Sequence, residues 1–149
     1  MVSVEIDTAQ RLRIAFGRLA RTLRPTDAGH DADLTPTRTA VLLSVVRNGP
    51  VKLAEVAGHE GLNPTLLSRT VAHLAESGLV TRTADAADRR SAWLEATAAG
   101  HELAAQIRAQ QTHTLEAALA QLPSEDRELL ESALPALEEL SEILKRERG

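Results

Sequence analysis

The chain has 149 residues and is 43% apolar, but Phe16 and Trp93 are its only aromatic side chains, so Leu, Val, Ile and Ala must build its core. That length suits one ordinary domain, or a small domain carrying extra helices, and the wealth of Ala, Leu, Glu and Arg points to a mainly α fold. Without cysteine, disulfides, thiolate metal ligands and thiol redox sensors are excluded, and the net charge of −4 does not by itself advertise a nucleic-acid binder.

The N-terminus, MVSVEIDTAQRLR, has no apolar signal-peptide region, and no run is long enough to span a bilayer, so a soluble cytoplasmic protein is expected. The first helix is expected from about Thr8 to Leu23, with Leu12, Phe16, Leu19 and Leu23 recurring at spacings of four, three and four. Pro25 stops it, and residues 25–33 read as a loop. Thr35 as N-cap and Pro36 at the first helical position open a second helix that ends near Arg47, before Asn48-Gly49-Pro50. A short third helix over 51–58 ends in the glycine-bearing turn His59-Glu60-Gly61-Leu62. Asn63 then caps a fourth helix, with Pro64 at its first position, that runs to Ser77 and is terminated by Gly78.

Two strand-like pieces follow, Leu79 to Thr83 and Ser91 to Glu95, around a turn carrying Asp85, Asp88, Arg89 and Arg90. Thr97 caps a long helix to about Leu122. Pro123-Ser124 restarts a last helix with Glu125 and Asp126 in its first turn, where the helix dipole favours acids. Pro135 predicts a kink or a break within it. Short helix, glycine turn and longer helix make a helix-turn-helix, and a hairpin directly behind makes it winged.

Charge is unevenly shared. Residues 1–32 hold five basic and four acidic side chains, residues 33–97 seven of each, and residues 98–149 five basic against ten acidic. The acidity is concentrated at the C-terminal end, which leaves the middle free to present a local basic surface. On the fourth helix Leu67, Val71 and Leu74 lie within about 60° of one another. Thr65, Arg69, Ala72 and Glu76 take the opposite face, with Ser68 and His73 at its edges. Such a face is often only solvated; as the second helix of a helix-turn-helix its N-terminal residues would meet base edges, where Arg suits guanine and the hydroxyls suit phosphate or bases. At the hairpin tip Arg89 and Arg90 could be solubilising charges. Alternatively, Asp88 could hold the Arg90 guanidinium extended as an ion pair, ready for the narrow minor groove. Trp93 is expected as a core plug beneath the sheet.

The blocks GLNPTLLSRTVAHLAESGLV (61–80) and DRRSAWLEATAAG (88–100) resemble the MarR family of regulators. The first is similar to the recognition-helix block, and the second to the wing's Asp-x-Arg, strand, and Thr-x-x-Gly opening a long helix. The likeness extends from about Thr8 to Arg146. Ala96, where the family usually has a large aliphatic, and His73, where it often has arginine, depart from the pattern. The resemblance implies a winged helix-turn-helix at 35–97, flanked by N- and C-terminal dimerisation helices at 1–34 and 98–149. It implies a homodimeric regulator, a repressor first of all, on a pseudo-palindromic double-stranded DNA operator. Asn63, Pro64, Thr65, Ser68, Arg69 and His73 would serve the major groove, with Asp88 and Arg90 as the wing's working pair and Arg89 nearer the backbone. A small aromatic anion of salicylate-like chemistry would release the DNA, with Arg18, Arg21, His30 and Arg47 as cationic partners, although arginines on the first helix suit a solvated face equally.

Dimerisation also has support from spacing. Leu130, Ala133, Leu137, Leu140 and Leu144 alternate in steps of three and four, a heptad-like seam. With Leu12 and Phe16 on the first helix, it offers more apolar face than a winged-helix core could cover; packing within the chain is the alternative. No enzyme, metal or cofactor is expected: the five histidines form no i, i+4 pair and no HExxH, and no phosphate loop or GxSxG elbow is present. A winged-helix protein–protein module without DNA binding remains the competing reading.

Overall fold

A computed structural model of the chain describes residues 2–148. Seven helices and three short strands follow one another as α1 (Val2–Leu23), α2 (Asp27–Asp31), α3 (Pro36–Asn48), β1 (Val51–Lys52), α4 (Leu53–Glu60), α5 (Pro64–Glu76), β2 (Val80–Ala84), β3 (Ala92–Ala96), α6 (Ala98–Leu119) and α7 (Ser124–Arg148). The chain divides into two compact units, one running to Thr112 and one from His113 onward.

The first unit holds the core. Val41, Leu42 and Val45 of α3, Val56 of α4, Leu67, Val71 and Leu74 of α5, Val80 and Leu94 of the sheet and Ile107 of α6 pack together out of water. Local chemistry sets most of the helix ends. Thr35 Oγ1 accepts from the N–H of Arg38 at 3.3 Å and Asn63 Oδ1 from that of Leu66 at 2.8 Å, and a proline follows each cap where its missing N–H costs nothing. Gly61 closes α4 in the left-handed region at φ 63°, a conformation with little steric cost only for glycine.

The stretch after α5 is fastened by Thr97. Its Oγ1 donates to the carbonyl of Gly78 at 2.6 Å and accepts from the N–H of Gly100 at 3.1 Å, while its own N–H reaches the Leu79 carbonyl at 3.0 Å. Gly100 packs so close to that turn that a Cβ there would collide with the Leu79 carbonyl oxygen. The Thr-x-x-Gly spacing therefore welds the start of α6 to the exit of α5.

Four sequence expectations are corrected here. The segment 25–33 is not all loop: α2 forms inside it, capped locally by Thr26 Oγ1 and held from a distance by Gln110 Oε1, which accepts from the N–H of Ala28 at 2.9 Å. The hairpin is part of a three-stranded antiparallel sheet in the order β1-β3-β2, with Val51 opposite Leu94 and Lys52 opposite Trp93. Residues 51 and 52 are thus strand, and α4 begins only at Leu53. Trp93 is not beneath the sheet. Side chains alternate along a strand, Ala92 and Leu94 face the core, and Trp93 is left 37% exposed on the outer face.

The fourth correction concerns the second unit. There α7 continues through Pro135 as one helix, so of the expected kink or break the break does not occur; the ring's missing N–H still costs the helix one hydrogen bond. Ala133, Leu137 and Leu140 are half-buried, whereas Leu129, Leu130, Leu134 and Leu144 are exposed. Helix boundaries elsewhere differ by a turn or so: α1 starts earlier than Thr8, and α6 ends at Leu119.

Candidate nucleic-acid interface

The amphipathic division of α5 is complete. Leu67, Thr70, Val71 and Leu74 are buried, and Thr65, Arg69, Ala72 and Glu76 are exposed on the other side. Thr70 belongs to the inner face because its Oγ1 donates to the Leu66 carbonyl at 2.8 Å and so leaves no unmet polar group in the core. Anchored from behind by Leu67, Val71 and Leu74 and from below by the Asn63 cap, the helix presents Pro64, Thr65 and Arg69 on its outer face. Ser68 is half-buried at the edge. Asn63 is exposed, but its Oδ1 is committed to the cap, which leaves its amide N–H groups as the donors it could turn outward. His73 differs from its neighbours: it is half-buried, and Nε2 is shielded from solvent with no hydrogen-bond partner among the described residues.

The wing is organised by two aspartates. Asp85 Oδ1 accepts from the N–H of Ala87 and Asp88 Oδ1 from the N–H of Arg90, both at 3.0 Å. Two backbone bonds close the tip, Ser91 N–H to the Asp88 carbonyl at 3.0 Å and Asp85 N–H to the Ser91 carbonyl at 3.1 Å. Asp88 thus holds the backbone of Arg90, where an ion pair to its guanidinium was expected; the short acid makes a local turn in preference to a bond across a long flexible side chain. Arg89 and Arg90 are exposed, and no ion pair ties either of them, or Arg69, among the described residues. Cations left unpaired on projecting elements are available to phosphate.

Lys52 and Asp85 were not singled out by spacing, yet they meet. Lys52 Nζ lies 3.7 Å from Asp85 Oδ2 and 5.3 Å from the centroid of the Trp93 ring. The contact joins residues 33 positions apart in a register that only the sheet creates, so no sequence pattern points to it.

Of the expected anion partners, one lines a cavity. His30 lines a cavity of about 180 Å³ together with Arg24, Pro25, Thr26, Leu34 and Thr39, whereas Arg18, Arg21 and Arg47 are not among its walls. Arg24, which the sequence reading passed over, supplies the cation there. Its position just before the helix-stopping Pro25 was the available signal.

The MarR-family model matches residues 34–92, the helix-turn-helix through the wing. Over those residues the chain is similar to the MarR family. An HTH-type transcriptional regulator of Mycobacterium bovis is 27% identical over 133 residues, covering 89% of this chain and 92% of that protein. The crystal structure of MarR shares the fold at a TM-score of 0.76, with 24% identity over 91% of this chain and 94% of the other. NadR, solved in complex with 4-hydroxyphenylacetate, superposes at a TM-score of 0.61 with 25% identity, covering 85% and 88% of the two chains. The MarR family is one of transcriptional regulators that bind DNA through a winged helix, and it is not a family of enzymes. Among the described residues no helix is long and apolar enough to cross a membrane.

Proposed function

We propose that this chain is a homodimeric repressor of the MarR type on a pseudo-palindromic operator, with α5 in the major groove and the wing in the adjacent minor groove. The observation that carries the reading is the pairing of a helix face bearing Thr65 and Arg69 with a wing bearing Arg89 and Arg90, three guanidinium groups with no ion-pair partner among the described residues. Arg69 reads a base edge, Thr65 and Ser68 make the short polar contacts, and Asn63 and Pro64 seat the helix N-terminus on the backbone. The wing arginines supply charge to the groove.

In this reading residues 35–97 form the DNA-binding domain, and residues 1–34 and 98–149 form the dimerisation region. Exposed apolar side chains on both terminal helices support the second assignment: Phe16 is 42% exposed, and Leu130 and Leu144 are open on α7. Leu12, Leu137 and Leu140 are half-buried on the same helices. A second copy covers such surface at least cost, and its two-fold axis sets the recognition helices roughly 34–36 Å apart, one turn of DNA.

Release by a small aromatic anion is the finer part of the proposal. NadR binds 4-hydroxyphenylacetate, and in this chain Arg24 and His30 face one cavity with Thr26 and Thr39 as hydrogen-bonding neighbours. The deciding experiment is a binding titration on the DNA upstream of this protein's own gene, at two salt concentrations, with and without salicylate. Tight binding that weakens with salt and again with salicylate supports the whole reading. Binding indifferent to salicylate removes the ligand, and no preference over random duplex removes the operator.

A further inference from the structure

Lys52 stands where β1 gives way to α4, and every part of it is held. Its N–H donates to Glu55 Oε2 at 3.0 Å in the first turn of α4, and its backbone pairs with Trp93 across the sheet. Its side chain crosses the outer face of β3 to place Nζ over the Trp93 ring and 3.7 Å from Asp85 Oδ2. Asp85 is the first residue beyond the last strand pair, Ala84 with Ala92. One of its oxygens shapes the wing turn through the N–H of Ala87, while the other meets Lys52. Its side chain is only 14% exposed. β1 reaches only as far as Lys52 opposite Trp93, so at the Ala84–Ala92 pair the wing is a two-stranded ribbon with no third strand beside it, and beyond that pair it is a turn; such ribbons are barely stable alone.

We propose that Lys52, Asp85 and Trp93 clamp the wing to the helix-turn-helix, so that Lys52 is a positioning residue for DNA binding and acts through Arg89 and Arg90. The proposal rests on the DNA-binding reading of α5 and the wing given above. Exposed ion pairs alone contribute little, because water and salt screen them. This one has a largely shielded acid and an aromatic face beneath the ammonium, which adds a cation–π attraction and restricts the rotamers of both side chains. A ribbon free to swing would have to be ordered at the moment of DNA contact, and prior ordering removes that cost from binding. Because the same residue starts α4, the wing and the helix pair move as one frame.

The test is a cycle of Lys52→Met with Arg89→Ala/Arg90→Ala, measured on the upstream duplex named above, together with amide hydrogen exchange of the wing in the free protein. Lys52→Met is expected to weaken binding about fivefold in the otherwise unsubstituted protein, and by less than about twofold once the wing arginines are gone. The amides of Asp85 and Ser91 should exchange faster while those of α5 are unchanged, and Lys52→Arg should restore both properties. An equal loss in both backgrounds would make Lys52 a phosphate contact in its own right and overturn the proposal. So would unchanged wing exchange, or faster exchange with unchanged affinity. Failure of the unsubstituted protein to bind any duplex is a different result: it removes the DNA reading and the proposal with it.

Discussion

Arg69 lies on the exposed face of α5 with no acid tying it among the described residues, one turn along from Thr65. A guanidinium in that position can pair with two acceptors on guanine, or it can rest on a phosphate, and the two roles separate by their dependence on sequence. Arg69→Ala is expected to reduce discrimination between operator and random duplex by about 1–3 kcal/mol. Equal losses on both duplexes in a competition titration would reassign the side chain to the backbone. Asp88 teaches a related lesson. The Asp-x-Arg spacing was legible, but its chemistry is an Asx-type turn onto the Arg90 N–H, so the acid directs the arginine by setting its backbone and leaves its charge unneutralised.

At the scale of the elements, stability depends on small polar side chains at the junctions. Thr97 joins the exit of α5 to the entry of α6 with a donated and an accepted hydrogen bond from one hydroxyl. Thr97→Val keeps the shape and removes both bonds, and it should lower stability to urea by about 1–2 kcal/mol. Thr97→Ser should recover most of that loss, and a serine variant as unstable as the valine would show that the methyl group and not the hydroxyl matters. The same junction explains Gly100, where the Leu79 carbonyl leaves no room for a side chain. Elements with local signals such as these were readable in advance. Those held from elsewhere were not: α2 has a Thr26 cap of its own but also needs Gln110 of α6, and β1, two residues long, is a strand only because β3 lies alongside. Two residues carry no periodicity for a sequence to display.

For the whole molecule the open matter is what covers the terminal helices. Leu144 is 54% exposed near the end of α7, so a lysine there costs the isolated chain little. Leu144→Lys should therefore keep the helical content and shift the sedimentation of the protein from dimer to monomer, because a buried, unpaired ammonium at an interface is expensive. A variant that still sediments as a dimer would take Leu144 out of the proposed seam.

The amino-acid order by itself determined the helix-turn-helix, its caps, the inner and outer faces of α5 and the presence of a wing. Each of these follows from backbone geometry acting over four residues or fewer, through periodicity, N-caps and glycine turns. Only the tertiary structure decided that Trp93 faces outward, that Lys52 meets Asp85 across the sheet, and that Arg24 rather than Arg18, Arg21 or Arg47 joins His30 at a cavity. These outcomes depend on strand register and on which side chains converge from distant parts of the chain. Spacing along the sequence does not encode either one.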